Sequence, residues 1–439
     1  MLYEYLKERM LDNPLKIIDD GTLSFTYTQI ISYAQTFGET LKTNKYGILC
    51  KSDLDTAKAL LACFYAKKTA VPLSYRYGEK HNNKIIESIG ISHLITEKGI
   101  EAIKEPRDEI EDLSDVALIL CTSGTTGDPK GAMITYDNLL TNLSDIERYF
   151  RIDNTDKILI SRPLYHCAVL TGELLISLIK GLDIVFLNGD FSPVRLLNEM
   201  EKHNITVFCG TPTMFYHICK SAEKGKRQLH IKASAVSGEC MTRTAAGLMR
   251  EALPRTDIYH VYGLTEASPR VSFLPPGLFD KYPDCAGYPL SSLKIKIENG
   301  ELLIKGGSVM KGYYNDPAAT DAAIADGWLH TGDIAQIDDC GRIWIRTRKD
   351  SMIIRAGINI YPQEIENALK TDDRISDVLA FGVKDNIVGR KIHLKVVTEL
   401  PVHKIYELCR QKLTIYQLPD FIEITEEIPK NASGKVIRM

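Results

Sequence analysis

The chain has 439 residues, 44% of them hydrophobic and 25% charged, a composition typical of a folded protein of about two to four domains and not of a disordered chain. Its formal net charge of −3 provides no overall basic field, so neither nucleic acid nor an anionic membrane surface is expected as the main partner. Apolar runs stay below the roughly 18 residues that span a bilayer, and charged residues interrupt the amino-terminal segment where a secretory signal would lie.

The ten cysteines are dispersed, without a C-x-x-C pair, a zinc-ligand spacing or a dense disulfide pattern. We therefore predict that they are reduced thiols, each acting as a small buried apolar residue. Such thiols are typical of the reducing cytoplasm, which is the location that we expect.

Short apolar runs alternate with amphipathic stretches over most of the chain, which predicts an α/β fold. The apolar run 116–121 (VALILC) leads into a Gly/Thr-rich loop and then a helical pattern from Asp137. The run 184–187 (IVFL) is followed by a helix over 193–203. This order of strand, loop and helix predicts parallel sheets covered by helices.

A charged stretch at 346–351 (RTRKDS) separates a Gly/Trp-containing segment from a compact run of alternating elements, and a domain boundary is expected there. Beyond it, the pattern predicts a small α+β unit. Its expected elements are a strand at 352–355, a helix from Pro362, strands near 378–383 and 392–398, and a helix over 403–413.

A loop suited to polyphosphate follows the apolar run 116–121. It reads Ser123-Gly124-Thr125-Thr126-Gly127-Asp128-Pro129-Lys130-Gly131. Glycines let backbone N–H groups approach anionic oxygens, hydroxyls donate further hydrogen bonds, and Lys130 adds a positive charge. The spacing differs from that of the G-x-x-x-x-G-K-[ST] loop, and a plain Gly/Thr-rich connector is the alternative interpretation.

Four further segments follow this loop along the chain. They are YGLTE at 262–266, GWLHTGD at 327–333, RKDSMIIRAGINIYPQEIE at 348–366 and PKNASGK at 429–435. In this order and at these separations, the five segments resemble the adenylate-forming superfamily of acyl-CoA synthetases, carrier-loading adenylation domains and firefly luciferase. The resemblance implies a large amino-terminal domain of sheets covered by helices (1–347), a hinge (348–350) and a small mobile α+β domain (351–439), with the active site between the domains.

The resemblance also implies a nucleotide site for ATP and Mg²⁺. Tyr262 and the segment 238–240 would flank adenine, Thr265 would contact the α-phosphate, and Glu266 would bind Mg²⁺. Asp333 would accept from the ribose hydroxyls, although a turn aspartate is the alternative. The implied nucleotide-binding residues are Ser123, Gly124, Thr125, Thr126, Gly127, Lys130, Gly238, Glu239, Cys240, Tyr262, Gly263, Asp333 and Arg348.

Lys435 corresponds to the catalytic lysine of the superfamily. An ammonium group at the α-phosphate would stabilise the charge that grows there when a carboxylate attacks, although a lysine so near a chain end is otherwise a solvated tail residue. Asp350 corresponds to the hinge position. Arg355 and Gly357 correspond to the face that guides the thiol, where glycine leaves room for a pantetheine arm.

The residues implied at the acyl pocket do not define the acid. They are His166, Thr211, Met214, Ser237 and Gly263. Relatives that activate amino acids carry an acidic residue near 165–169, and none is present here, so the resemblance favours aryl and acyl acids such as o-succinylbenzoate or benzoate.

The sequence departs from the usual pattern of the superfamily at several places. His260 and Cys240 replace a frequent Asn or Asp and a frequent Pro, Tyr136 replaces a His, and Thr347 replaces a Gly. The amino terminus is also shorter than in most relatives. Three functions stay open: a CoA ligase, an enzyme loading an acyl or aryl carrier protein through its phosphopantetheine arm, and a non-catalytic nucleotide-binding scaffold.

Overall fold

The structure is a computed structural model. It describes residues 2–75, 78–105, 111–123, 129–355, 358–385 and 389–428, with the backbone alone at residues 122, 123, 359 and 389. The chain divides into two compact units. The first comprises residues 1–241, 245–295 and 304–329, and the second comprises residues 242–244, 296–303 and 330–439. The hinge expected at 348–350 stays a prediction.

Helix ends coincide with capping residues in the sequence. Thr135 and Asn138 form a capping box at the start of α5, and Ser192 caps α8 ahead of a proline at its first position. The helices are α1 (Leu2–Leu11), α2 (Tyr27–Gly38), α3 (Asp53–Tyr65), α4 (Glu79–Ile89), α5 (Tyr136–Tyr149), α6 (Cys167–Val169), α7 (Ile176–Lys180), α8 (Pro193–His203), α9 (Pro212–Gly225), α10 (Arg243–Ala252), α11 (Pro276–Phe279), α12 (Pro317–Ala323), α13 (Pro362–Leu369) and α14 (Val402–Lys412).

The strands are short and mostly buried in the first unit. They are β1 (Ile17–Asp19), β2 (Ser24–Thr26), β3 (Lys45–Ile48), β4 (Thr69–Pro72), β5 (His93–Thr96), β6 (Gly99–Ala102), β7 (Val116–Ser123), β8 (Pro129–Thr135), β9 (Lys157–Ile160), β10 (Asp183–Phe186), β11 (Val207–Phe208), β12 (Ala233–Val236), β13 (Asp257–Gly263), β14 (Arg270–Leu274), β15 (Tyr288–Pro289), β16 (Leu293–Glu298), β17 (Glu301–Gly306), β18 (Gly312–Tyr313), β19 (Ile324–Ala325), β20 (Trp328–Ile337), β21 (Ile343–Arg348), β22 (Ile353–Arg355), β23 (Ile358–Ile360), β24 (Ile375–Asp385), β25 (Gly389–Thr398) and β26 (Phe421–Ile424).

Two large sheets belong to the first unit. Among the described residues one has the strand order β15-β14-β13-β12-β11-β9-β10-β1-β2, and the other has the order β18-β8-β7-β4-β3-β5-β6. Strands β9 to β13 pair in parallel, which confirms the predicted α/β fold. Ligands of such sheets bind beyond the carboxyl ends of the parallel strands.

One local prediction is wrong. The strand at 116–121 and the helix from Asp137 are confirmed as β7 and α5, but they do not belong to a simple parallel unit, because β8 lies between them and pairs antiparallel with β7 from Val116 opposite Thr135 to Ser123 opposite Pro129. Strands β7 and β8 therefore form a hairpin. The apolar residues of β8 from Ala132 to Ile134 are buried, so β8 contributes to the core beside β7.

The elements predicted beyond residue 351 are confirmed. Strands β22 to β26 form a sheet with the order β23-β22-β25-β24, with β26 beside β25. Helices α13 and α14 contribute Ile365, Leu369, Ile405 and Leu408 to a core shared with this sheet. In the described part of the chain, no helix combines the length and the apolar character needed to cross a membrane.

The cysteine prediction is confirmed in part. All ten cysteines are thiols, and seven of them are buried. Cys121 is partly accessible, whereas Cys240 and Cys340 are exposed. The expectation that every cysteine is a core residue is therefore wrong for this exposed pair, because Cys240 lies in the irregular segment after β12 and Cys340 in the turn after β20.

Candidate active site

A tight turn follows β13 and presents Thr265 and Glu266. Gly263 ends the strand beside a register shift, and a Cβ there would lie 2.0 Å from the carbonyl oxygen of Pro269. Only glycine permits this close approach. The backbone N–H of Leu264 donates to the same carbonyl at 2.9 Å, and a 3₁₀ turn over Thr265–Ala267 follows. Thr265 and Glu266 are both partly accessible at the carboxyl end of β13.

Asn142 holds this turn from helix α5. Its side-chain nitrogen donates to the carbonyls of Arg270 at 2.8 Å and Ala267 at 3.4 Å, and its oxygen accepts from the N–H of Arg270 at 3.2 Å. The side chain is fully buried. Sequence reasoning missed this residue, although a polar side chain on the buried stripe formed by Leu139, Leu143 and Ile146 was a detectable signal.

Tyr313 joins the turn to the strand that follows the predicted phosphate loop. Its hydroxyl donates to Glu266 Oε1 at 2.9 Å, and Lys130 Nζ lies 5.4 Å from the centroid of its ring. The structure thus brings together Lys130 and Glu266 from two separate motifs through a residue that sequence reasoning missed. Tyr313 belongs to none of the five segments, so the sequence carried no signal for it.

Part of the predicted phosphate loop is outside the described residues. These are Gly124, Thr125, Thr126 and Gly127. Ser123 is described by its backbone, at the end of β7 and opposite Pro129 on β8. Lys130 lies one position further along β8.

The segment predicted to lie against adenine follows β12. Gly238 has a left-handed φ of +93° and is exposed together with Cys240. Glu239 accepts hydrogen bonds from the N–H of Thr213 at 3.1 Å and from its hydroxyl at 2.6 Å, so this carboxylate is held at the amino terminus of α9. Tyr262, at the end of β13, is partly accessible.

Three residues predicted at the acyl pocket are brought together by neighbouring parallel strands. The N–H of Ser237 donates to the carbonyl of Gly210 at 3.0 Å, and the Thr211 hydroxyl accepts from the N–H of Met214 at 3.2 Å, capping α9. Thr211, Met214 and Ser237 therefore share the carboxyl ends of β11 and β12. Ser237 is almost fully buried, and its hydroxyl has no hydrogen-bond partner among the described residues.

His166 precedes the short helix α6, with its ring 4.2 Å from that of Tyr165. Next to it, burial raises the pKa of the Cys167 thiol to about 12, with Thr171 and Arg270 opposing and the charge of Glu266 adding to the rise.

A buried acidic residue four positions beyond the pocket segment was missed. Glu173 lies in a π-helical stretch, Leu170–Leu175, and its side chain is fully buried. Burial raises its pKa, whereas the Arg162 guanidinium, 2.5 Å away, opposes the rise. The positive charge of Arg270 also opposes the rise, and its guanidinium lies beside Gly172, the residue before Glu173. The Arg162 guanidinium therefore pairs with one oxygen of this carboxylate, whereas Oε2 has no hydrogen-bond partner among the described residues.

The second unit carries Asp333 and Arg348 opposite each other on β20 and β21. Arg348 Nη1 lies 3.4 Å from Asp333 Oδ1 and donates to the carbonyl of Thr331 at 2.8 Å. The Asp333 side chain is nearly buried, whereas that of Arg348 is half exposed. Asp350 Oδ1 lies 3.9 Å from Arg348 Nε.

The residues predicted to guide the thiol are described in part. Arg355 forms an ion pair with Asp420 at 2.9 Å and donates to the carbonyl of Leu418 at 2.8 Å, so it ties β22 to the segment before β26. Gly357 and the predicted catalytic Lys435 lie outside the described residues, and their roles stay predictions.

A metal site made by protein ligands alone does not occur among the described residues, since no group of three or more His, Cys, Asp and Glu side chains is placed to hold an ion. Mg²⁺ bound to a nucleotide needs only one or two carboxylates, because the phosphates supply other oxygen ligands. Glu266, partly accessible and presented at a strand end, fits this requirement.

Comparison with known proteins agrees with the motifs. The AMP-binding enzyme family matches residues 97–314, and the AMP-binding enzyme C-terminal domain matches residues 364–435. Feruloyl-CoA synthase of an Amycolatopsis species is 30% identical over 418 residues, which cover 87% of this chain and 84% of the synthase. The chain belongs to the AMP-binding enzyme family, within the adenylate-forming superfamily.

Two further relatives indicate how far the likeness extends. A long-chain-fatty-acid–CoA ligase of Bacillus subtilis (strain 168) is 32% identical over 75% of this chain, but the match spans 62% of the ligase, less than two thirds of its length. The structure of o-succinylbenzoate coenzyme A synthetase from Bacillus subtilis, in complex with ATP and magnesium ion, has a TM-score of 0.86 at 26% identity, covering 99% of this chain and 98% of that one.

Proposed function

We propose that this protein is an AMP-forming carboxylic acid–CoA ligase. In the first step, the acid's carboxylate oxygen bonds to the α-phosphorus of ATP and the bond to pyrophosphate breaks. In the second step, the thiol sulfur of CoA bonds to the acyl carbon, the acyl–phosphate bond breaks, and AMP leaves. Family membership supports this proposal, as do the three relatives named above, which are a CoA ligase, a CoA synthase and a CoA synthetase.

The observation that carries the proposal is the convergence of Lys130, Tyr313 and Glu266. The ring of Tyr313 contacts the Lys130 ammonium of the hairpin β7–β8, and its hydroxyl donates to the Glu266 carboxylate of the turn after β13. Glu266 would hold Mg²⁺, whose charge would neutralise negative charge on the phosphate oxygens. Lys130 would add a second positive charge to the same phosphates.

The other residues would position the nucleotide. We propose that Thr265 donates to the α-phosphate, that Tyr262 and the segment 238–240 flank adenine, and that Asp333 accepts from the ribose hydroxyls beside Arg348. Lys435 would stabilise the charge that develops when the acid attacks.

For the acid, an aryl group is the preferred proposal. Two of the three relatives named above act on feruloyl and o-succinylbenzoyl groups, and the third acts on long-chain fatty acids. We assign the pocket wall to His166, Thr211, Met214, Ser237 and Gly263. The pairing of Glu173 with Arg162 supports an acid without an α-ammonium group, because the nearby buried carboxylate is already matched by a cation.

The test is release of pyrophosphate across a panel of aryl, short-chain and long-chain acids, with CoA and separately with a holo carrier protein. We expect turnover that depends on CoA, with an aryl acid as the best substrate. Labelling of the carrier with no formation of a CoA thioester would show that the acyl acceptor in the second step is a carrier protein. Absence of adenylate with every acid would contradict the enzyme proposal and favour the nucleotide-binding scaffold.

A further inference from the structure

The backbone of Tyr313 is fixed to the phosphate-loop hairpin. Strand β18 pairs with β8, with Gly312 opposite Met133 and Tyr313 opposite Ala132. The next residue, Tyr314, donates its N–H to the carbonyl of Gly131 at 2.8 Å. The position of the Tyr313 side chain therefore follows the position of the hairpin that carries Lys130.

The Tyr313 side chain makes two separate contacts. Its hydroxyl donates to Glu266 Oε1 at 2.9 Å, and its ring lies 5.4 Å from Lys130 Nζ. A carboxylate has two oxygens, so a hydroxyl on Oε1 fixes the rotation of the group while Oε2 keeps its lone pairs for a cation. The ring face attracts the ammonium group through the electron density above the ring.

We propose that Tyr313 is a positioning residue for the metal–nucleotide complex. Its hydroxyl orients the Glu266 carboxylate toward Mg²⁺, and its ring holds the Lys130 ammonium toward the phosphates. The inference rests on the proposed function, because it assigns Glu266 to the metal and Lys130 to the nucleotide. Removing a hydrogen-bond partner of a metal ligand typically lowers metal affinity about 10- to 100-fold.

The adjacent residue supplies a matched control. Tyr314 is also a tyrosine with a lysine over its ring, since Lys45 Nζ lies 5.0 Å from the ring centroid and donates to the hydroxyl at 3.0 Å. Tyr314 packs in a hydrophobic cluster with Ile89 and Met133. Loss of its hydroxyl changes a buried structural contact and leaves the contact with Glu266 in place.

The experiment compares Tyr313→Phe, Tyr313→Leu and Tyr314→Phe in the full-length protein. Isothermal titration calorimetry measures the affinity for α,β-methylene-ATP in EDTA and in Mg²⁺, and electron paramagnetic resonance measures binding of Mn²⁺ to the enzyme–nucleotide complex. Circular dichroism melting shows that each variant is folded at the assay temperature.

Tyr313→Phe should bind Mn²⁺ about tenfold more weakly, with nucleotide affinity in EDTA unchanged, because only the hydroxyl is lost. Tyr313→Leu should lose affinity in EDTA as well, because Lys130 loses the ring. Tyr314→Phe should melt at a lower temperature with wild-type metal affinity.

Equal Mn²⁺ affinity in wild type and Tyr313→Phe would overturn the inference and leave the proposed function intact. Tighter Mn²⁺ binding by Tyr313→Phe would also overturn it, since the hydroxyl would then compete with the metal. If the wild-type protein binds neither nucleotide nor metal, the proposed function itself fails.

Discussion

The carboxylates that we assign to the nucleotide, Glu266 in the first unit and Asp333 in the second, are held by different means. Glu266 accepts from the neutral hydroxyl of Tyr313, and its turn is fixed by the buried amide of Asn142. Asp333 faces the guanidinium of Arg348 across paired strands. A neutral donor keeps the carboxylate's full charge for a cation, whereas a guanidinium offsets part of it. The first arrangement suits Mg²⁺, and the second suits neutral ribose hydroxyls.

If Glu266 and Asp333 only bind and orient the metal and the nucleotide, removal of the catalytic Lys435 should lower the reaction rate more than removal of either carboxylate. Lys435→Ala should lower the rate of adenylate formation by about 10²-fold or more. Thiol capture from a supplied acyl-adenylate should stay near the wild-type rate. Stopped-flow or quench-flow assays of the two half-reactions check this, with Lys430→Ala as a control from the same segment. Equal loss of both steps would contradict the assignment.

Glu266→Gln tests whether the negative charge of Glu266 is needed to bind the metal ion. Glutamine keeps an oxygen that can accept from Tyr313 and loses the negative charge, so Mn²⁺ affinity in the nucleotide complex should fall about 10- to 100-fold. Nucleotide affinity in EDTA should not fall. A variant that binds Mn²⁺ as the wild type does would show that Glu266 is not the metal ligand.

Asn142→Ala tests how the turn is held. The substitution leaves the buried N–H of Arg270 and the carbonyls of Ala267 and Arg270 without this partner, so the free energy of unfolding should fall by about 2 kcal/mol. It should also raise the Mg²⁺ concentration that gives half-maximal activity.

Asn138, one helical turn earlier, is the matched control for Asn142. It caps α5 and donates to the carbonyl of Gly307 at 2.7 Å. Asn138→Ala should lower stability by about 1 kcal/mol without changing the Mg²⁺ requirement. The same Mg²⁺ requirement in both variants, measured beside urea unfolding, would show that Asn142 is structural only.

Asp333→Asn tests the second unit, where we expect a smaller effect. An amide keeps one acceptor for ribose, so the KM for ATP should rise about tenfold with a smaller change in kcat. Asp338→Asn is the control, because Asp338 lies on the same hairpin and accepts from Trp344 Nε1 and Arg342 Nε. A larger loss from Asp333→Asn than from Glu266→Gln would reverse the comparison.

The smallest expected effect concerns His260, in the middle of β13, the strand that leads into the Glu266 turn. Burial lowers the pKa of His260, and its Nδ1–H donates to the carbonyl of Cys285 at 2.8 Å. Below about pH 6.5 the imidazole is protonated in the unfolded chain but stays neutral in the folded chain. The free energy of unfolding therefore falls as pH decreases below about 6.5, by at most about 1.4 kcal/mol per pH unit.

His260→Asn removes this titration and introduces a residue that is frequent at the corresponding place in the superfamily. Urea unfolding at pH 5, 6 and 7 should show a smaller loss of stability at low pH than in the wild type. An identical pH dependence in the two proteins would mean that other groups account for the loss.

Sequence reasoning predicted the class of fold, most elements and the family, because these depend on local patterns. Alternating apolar runs, caps such as Thr135 and glycines such as Gly263 act within a few residues. It missed β8, because a hairpin and a parallel crossover begin with the same strand and loop. It also missed Asn142 and Tyr313, whose partners are remote in the chain, and Glu173, which pairs with Arg162 eleven positions earlier.

By itself, the sequence determined the five motifs, their order and the chemistry that their side chains can perform, since residue type sets charge and hydrogen-bonding capacity. Only the tertiary structure decided that Tyr313 lies between Lys130 and Glu266, that an amide on α5 holds the turn, and that Arg162 matches Glu173. These contacts join residues up to 183 positions apart in the chain, from Lys130 to Tyr313 (313 − 130 = 183). Lys130 and Tyr313 meet because the register of β18 against β8 brings them together, and a register is a property of the folded chain.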